Sequence, residues 1–451
     1  MPACNEEATQ FTEETTTSSV TDSPAPLSPP EPVARYTADG KRIITVGTWY
    51  ERYYSSKHTD IYADPGMTNE VSAQIRLENI RKIEEKYNIV LNFVNLTFNG
   101  LLESMNTSIA EGQPDVDIYE AELGYAVMAA VSGYAVSLEE MGLEDTDVFG
   151  DQVAMSRMEL MGQDKNYLFT PSNSGAINAY PLAFNLDMIT EAGLENPQDV
   201  YDRGEWTWEV FREYLTALTQ DTNGDGQTDI YGYGGFWTNM LTNLLFSNGT
   251  GIAAGREETL SSPATLEVLE FIGALYNEDK TARPWDANWD INNNLYTEGL
   301  NAFFIGADWI FKNDNAADLP FEIGVVPWPC GPSGNFETNK HSQPAKNWFF
   351  IPKNVADPRF VYDVFYDWVN WFDGDSSMGE DLGWARSMYM TDRNFAYAQM
   401  MDSRPGFDMW ESVNVSNQFS ITSLLAGIQL PEEVVEQYTP VFKTALDNFF
   451  K

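Results

Sequence analysis

From Arg42 onward, short apolar runs alternate with longer stretches whose apolar positions recur every three or four residues. The first pattern predicts strands and the second helices. Arg42–Trp49 (RIITVGTW) reads as a buried strand ending in Trp49-Tyr50. Met67–Tyr87 reads as a helix with Val71, Ile75, Ile80 and Ile83 on its apolar face. Ile89–Val94 is a second strand, Leu101–Ala110 a second helix, and Pro114–Tyr119 a third strand that leads out to Glu120-Ala-Glu122; Tyr125–Ala135 is the helix after it. Further strands are expected at Ala179–Asn185, Ile230–Trp237, within 296–309, within 321–332 and at Trp348–Pro352. Helices are expected at Asp187–Ala192, Thr207–Thr219, Pro263–Tyr276 and Pro358–Phe372. Strand and helix in alternation predict mostly parallel sheets faced by helices. Ligands of such sheets sit beyond the carboxyl ends of strands, here at Trp49-Tyr50 and Glu120–Glu122.

One stretch, Gly204–Trp237, departs from simple alternation. Trp208, Phe211, Leu215 and Leu218 give a one-faced helix that Thr207 can cap, with Glu209 and Glu213 toward its positive end. An acidic loop follows, with oxygen donors at Asp221, Asn223, Asp225, Gln227 and Asp229, and a turn-permitting Gly226. That spacing matches the first nine positions of a calcium-binding EF-hand loop. Position twelve is Gly232, so the bidentate Glu is missing and a remote carboxylate or water must complete the shell. The expectation is a structural Ca2+; the alternative is a metal-free loop closed by Asx turns. After the loop, the YGYGGFW exit is expected to turn Trp237 toward a ligand.

Composition narrows the function classes. At 451 residues the chain is long for one core, so two or more domains are expected. No window reaches the roughly 18 apolar residues of a membrane span. Acidic residues number 68 against 26 basic, a formal net charge of −42. Phosphate backbones demand a basic footprint, so nucleic acid is an improbable partner. Aromatics reach 14%, with 13 Trp and 22 Tyr, more than packing alone usually calls for. Ala3-Cys4 followed by a polar segment has the form of a lipoprotein cleavage site, with Cys4 as the lipidated residue. Residues 1–35, rich in Glu, Thr, Ser and Pro, read as a disordered tether.

The segments AYPLAFNLD (Ala179–Asp187), WTWEVF (Trp206–Phe211), DTNGDGQTDIYG (Asp221–Gly232), TEGLNAFFIGADW (Thr297–Trp309), GVVPWPCG (Gly324–Gly331) and IPKNVADP (Ile351–Pro358) occur in a telling order. In that order the chain resembles the extracellular solute-binding proteins of ABC sugar importers, the family of maltose-binding protein. The resemblance implies an α/β, two-lobe periplasmic-binding-protein-like fold of type II, joined by a multi-strand hinge. Carried onto this chain, the first lobe would be 36–170 plus 340–375 and the second 171–339 plus 376–451. It implies further a monomer that closes on a neutral oligosaccharide and delivers it to the permease subunits of an importer. Its place would be the extracellular face of the membrane, held by a lipid anchor as in Gram-positive bacteria.

Sugars are held by aromatic faces and a few polar groups, the general composition of a ligand cleft. The aromatic candidates are Trp49, Tyr50, Trp237, Trp309, Trp348 and Trp384; the polar ones are Glu122, Asn185, Asp308 and Arg386. Trp206, Trp208, Trp368 and Trp371 fit helix faces and are assigned to the core. Glu120 and Glu122 supply the two carboxylates that a glycosidase needs, but nothing in their spacing makes the pair convergent. With only His58 and His341, no HExxH and no P-loop, an enzyme is disfavoured. A carbohydrate sensor or adhesin, or a peptide or polyamine receptor, are the other readings.

Overall fold

The first long strand of the chain, Arg42–Thr48, is also the one around which its first sheet is built. This computed structural model describes residues 31–55, 58–64, 67, 70–143, 165–170, 177–286, 295–307, 310–311, 316–342, 347–371, 386–410, 412–413 and 418–450. Cys4, Asp308, Trp309 and Trp384 lie outside them. In chain order the main elements are β1 (Arg35–Tyr36), β2 (Arg42–Thr48), α1 (Glu70–Tyr87), β3 (Ile89–Asn95), α2 (Phe98–Thr107), β4 (Ile118–Glu122) and α3 (Leu123–Val131). Then come β5 (Leu182–Asn185), α4 (Leu186–Glu191), α5 (Pro197–Asp202), α6 (Trp208–Leu218), β6 (Tyr231–Tyr233), α7 (Trp237–Ser247) and α8 (Pro263–Gly273). The last are β7 (Asn301–Ile305), β8 (Ile323–Val326), β9 (Asn347–Phe350), α9 (Pro358–Val369), α10 (Asp392–Asp402) and α11 (Pro431–Phe449).

Two sheets result. In the first, β2 pairs in parallel with β3 along its whole length and with β4 at Val46 and Gly47. The far side of β4 is taken, antiparallel, by β9, so a segment from late in the chain returns to the first sheet. The second sheet runs β8-β5-β7-β6. There β6 and β7 are parallel, while β5 runs against both its neighbours. One face of the first sheet (Ile44, Leu91, Phe349) packs on Ile80 and Ile83 of α1 and Val361 and Phe365 of α9. A second core joins α2 and α3 to the second sheet and its helices.

Local rules explain most boundaries. Thr207 caps α6, its hydroxyl accepting from the Val210 amide, and α6 buries Trp208, Phe211, Leu215 and Leu218 as the pattern predicts. Three expectations need correction. In α1 the buried face is Ala73, Leu77, Ile80 and Ile83; Val71 falls on the opposite side of the helix from Ile80 and is 67% exposed. The third strand is displaced to Ile118–Glu122. Asp117 spends its side chain on the Thr45 amide at 2.8 Å, and the ladder with β9 begins only at Tyr119. Glu120 and Glu122 therefore lie within the strand, not beyond it. The sixth strand stops at Tyr233, and Trp237 starts a helix.

Candidate functional site

Because β2, β3 and β4 are parallel, their carboxyl ends share one edge of the first sheet. Trp49 follows β2, Phe98 opens α2 just after β3, and Tyr125 lies in the first turn of α3 after β4. The rings meet edge to face: Trp49 with Phe98 at 6.3 Å, Phe98 with Tyr125 at 5.7 Å, and Trp49 with Tyr50 at 5.6 Å between centroids. Phe98 is 38% and Tyr50 36% exposed, in a chain whose other large apolar side chains are mostly buried. Trp49 and Tyr125 are half-buried and pack against the core, and a partly exposed aromatic row at a strand-end edge is the composition a ligand cleft needs. Trp49 and Tyr50 were legible in the sequence. Phe98 and Tyr125 were not, though each sits in the first helical turn after a strand, a position that could have flagged them.

The two carboxylates of β4 do not diverge. Residues two apart on a strand share a face, so Glu120 and Glu122 stand side by side. Their surroundings differ sharply. Glu120 is buried and receives Arg52 Nε at 2.8 Å, Arg52 Nη2 at 2.5 Å, the Tyr50 hydroxyl at 2.7 Å and the Asn347 amide at 3.1 Å. The Arg52 guanidinium also lies 5.3 Å from the Tyr50 ring and 4.9 Å from Trp368. Burial and the nearby Glu120 charge push the Tyr50 hydroxyl well up, although its ring is exposed: the ring faces out and the oxygen in. Among the described residues Glu122 has no such company. Half-buried at the amino end of α3, its carboxyl is raised by desolvation to about 7.

The remaining expected site residues are placed elsewhere. Asn185 is 4% exposed and caps α4, its side chain accepting from the Met188 amide at 3.1 Å. Since β5 runs against β7, Asn185 lies at the opposite edge of the second sheet from the carboxyl end of β7. Trp237 is 8% exposed and packs edge-on to Phe419, and Trp348 is 2% exposed on β9, so both belong to the core. The helix that begins at Trp237 turns its ring inward where a strand exit would have turned it out. Arg386 is exposed and paired with Asp392. Trp206 is fully buried and donates to the Pro327 carbonyl at 3.1 Å, a core tryptophan as expected.

The acidic loop after α6 is folded by its own carboxylates. Asp221 accepts from the amides of Gly224 and Gly226 at 2.7 and 2.8 Å, and these contacts hold its carboxyl below the ordinary range. Asn223 accepts from the Asp225 amide, Asp225 from the Gln227 amide, and Asp229 from Thr222. Gly224 and Gly226 take left-handed φ of 78° and 86°. Among the described residues no group of three or more His, Cys, Asp or Glu side chains stands close enough to hold a metal ion. The donor types suit a hard cation, each exposed oxygen keeping a second lone pair. Position twelve cannot contribute. A Cβ on Gly232 would sit 2.6 Å from the Leu215 carbonyl oxygen, so α6 leaves no room for a side chain. Gly232→Ala is expected to lower unfolding free energy by about 1–3 kcal/mol, read as a shift in urea midpoint; an unchanged midpoint would show that α6 yields.

A model of the family described as bacterial extracellular solute-binding protein matches residues 78–363. Among solved structures, the chain is similar to an ABC substrate-binding protein from Listeria monocytogenes in complex with cycloalternan. The TM-score is 0.62 at 17% identity, covering 90% of this chain and 99% of that one. It is similar to the cyclic alpha-maltosyl-1,6-maltose binding protein of Arthrobacter globiformis (TM-score 0.64, 15% identity, 91% and 100% covered). It is also similar to UgpB of Mycobacterium tuberculosis in complex with glycerophosphocholine (TM-score 0.61, 16% identity, 91% and 98% covered). No curated protein sequence matches. At these identities the structures establish the fold, a two-lobe α/β architecture, and leave the ligand to the residues of this chain.

Proposed function

The chain belongs to the bacterial extracellular solute-binding proteins, a family of binding proteins and not of enzymes, and from that premise we propose that it captures a neutral oligosaccharide and passes it to an ABC importer. The observation that carries the reading is the partly exposed row Trp49–Phe98–Tyr125 at the strand-end edge where Glu122 ends β4. Flat aromatic faces suit the C–H faces of pyranose rings, and a single acceptor beside them suits hydroxyls. The cycloalternan and the cyclic alpha-maltosyl-1,6-maltose named for the Listeria and Arthrobacter proteins support a sugar. The glycerophosphocholine of the mycobacterial protein shows what else this fold takes, and supplies the second reading to be tested. The lobes are 36–170 plus 340–375 and 171–339 plus 376–451, closing on the ligand by a hinge. Among the described residues no helix is long and apolar enough to cross a membrane. Attachment is through lipid on Cys4, a reading supported by the Ala3-Cys4 pair and the polar tether after it.

Calorimetry against di- to hexasaccharides, with glycerophosphocholine, a peptide mixture and polyamines in parallel, tests the ligand class. Binding of an oligosaccharide at micromolar affinity or better is the expected result. Silence from every saccharide, with binding by any of the others, would overturn it.

The acidic loop takes Ca2+ in this proposal as a brace for α6 and β6, with Asp221, Asn223, Asp225, Gln227 and Asp229 as its donors. Calcium at a hundred times its dissociation constant should add about 2.7 kcal/mol to stability. Chelation should therefore lower the melting temperature while changing sugar affinity little. Identical melting curves in calcium and in chelator would leave the loop to its Asx turns.

A further inference from the structure

The aromatic row sits on a segment that the sheet itself does not hold. Thr48 is the last residue of β2, and its carbonyl accepts from the Leu96 amide. The next backbone pair among the described residues is Ser55 with His58. Between them, Trp49–Tyr54 make no backbone–backbone hydrogen bond among the described residues. Side chains fasten the segment instead. The buried Thr48 hydroxyl donates to the Tyr50 carbonyl at 2.5 Å, the Tyr50 hydroxyl reaches Glu120, and Arg52 grips both oxygens of Glu120.

We propose that Arg52 is the positioning residue of this cleft: it latches the Trp49–Tyr54 segment to Glu120 and so fixes where Trp49 and Tyr50 meet a ligand. The inference rests on the reading of this edge as the binding site. Three features make Arg52 a latch and not a surface ion pair. Its partner is 1% exposed, and the same carboxylate also receives Tyr50 and Asn347, so the whole cluster has one geometry. Its guanidinium is bounded by Tyr50 from its own segment and Trp368 from α9, so a planar cation is required. Finally, Glu120 and Asn347 lie on strands from distant parts of the chain, β4 and β9, so the segment is tied to the centre of the sheet. A ligand covering the 23% of the Arg52 side chain still exposed would strengthen the pair by removing water from it.

The test compares the full chain with Arg52→Gln, Arg52→Lys and, as a control at an exposed ion pair, Arg203→Gln. Since the amides of Trp49–Tyr54 have no backbone acceptor among the described residues, the ligand-free readout is chymotryptic cleavage within residues 49–55, followed by mass spectrometry. Its rate should rise at least tenfold in Arg52→Gln, and rise less in Arg52→Lys, which keeps the charge but loses the fork. It should stay at the native rate in Arg203→Gln. Maltotetraose affinity, by calorimetry, should fall at least tenfold in Arg52→Gln and recover in part in Arg52→Lys. Native cleavage within 49–55 in Arg52→Gln, or unaltered affinity for a saccharide that the native chain binds, would overturn the proposal. If cleavage rises as stated while the native chain binds no saccharide, the latch stands and the sugar reading falls. Should Arg52→Gln fail to fold, the Arg52→Lys cleavage rate decides alone.

Discussion

Asn394→Ala is expected to cost about 3–5 kcal/mol of folding free energy, among the largest effects of any single polar substitution in the chain. Asn394 lies in the first turn of α10 and is 2% exposed. Its side-chain oxygen accepts from the Gln198 side chain at 2.8 Å and the Val325 amide at 2.9 Å. Its nitrogen donates to the carbonyls of Ile323 and Tyr389 at 2.8 and 2.9 Å. Two of these partners belong to β8, an outer strand of the second sheet, so one side chain supplies pairing that a further strand would otherwise give. Alanine would leave two donors and the Ile323 carbonyl unmet in the interior, each costing about 1–3 kcal/mol before relaxation, while the Tyr389 carbonyl keeps the Thr391 amide. Asn394→Asp separates hydrogen bonding from packing, since it fills the same volume but cannot donate to both carbonyls. Urea unfolding followed by circular dichroism should place both variants well below the native chain. A native-like midpoint for Asn394→Asp would mean that volume, not pairing, is what the site needs.

Such residues mark where the sequence becomes silent. The alternation of apolar runs and three-to-four periodicity locates β2, β3, β5, α6, α8 and α9 to within a few residues, because each is decided by local pattern and a cap. Thr207 and α6 show the rule at its best: a capping hydroxyl, then a buried stripe. Strand direction is different. Nothing local to AYPLAFN says that β5 runs against β7, and that direction is what removes Asn185 from the carboxyl-end edge. Trp237 illustrates a second limit. Two glycines before an aromatic read equally well as a strand exit or as a turn into a helix, and the helix buries the ring.

The candidate site was half legible in the sequence. Trp49, Tyr50 and Glu122 follow from the rule that ligands meet strand ends. Phe98 and Tyr125 needed the parallel register of β2, β3 and β4, which brings three separate strand ends to one edge. Arg52 needed more, because Glu120 becomes its neighbour only through the pairing of β2 with β4, and Asn347 joins the same carboxylate only through the return of β9 to the first sheet. Tyr50, Arg52 and Asn347 converge on Glu120 and, among the described residues, none of them on Glu122, a distinction no spacing of two acidic residues could reveal.

That distinction predicts a pH dependence centred on one residue. Glu122 has a carboxyl raised by desolvation from 4.5 to about 7. The folded chain thus binds this proton more tightly than the unfolded chain does, and the group favours folding only when protonated. Its contribution is fully present below about pH 4.5 and is lost as pH rises through about 7, at most about 3 kcal/mol across the window. Asp408, buried and raised to about 6, adds a slope of the same sign at lower pH. Unfolding free energy should therefore decline from pH 5 to pH 8, and Glu122→Gln should flatten the upper part of the curve while Asp408→Asn flattens the lower. Ligand binding should run the other way. Sugar hydroxyls donate to a carboxylate and favour its charged form, so affinity should rise severalfold between pH 6 and pH 8 as protons are released. Calorimetry in two buffers of different ionisation enthalpy reads that release directly. Affinity that is flat across pH 6–8 in the native chain, or a slope that survives in Glu122→Gln, would show that Glu122 does not meet the ligand, and the polar side of the cleft would then have to be sought elsewhere along the same edge.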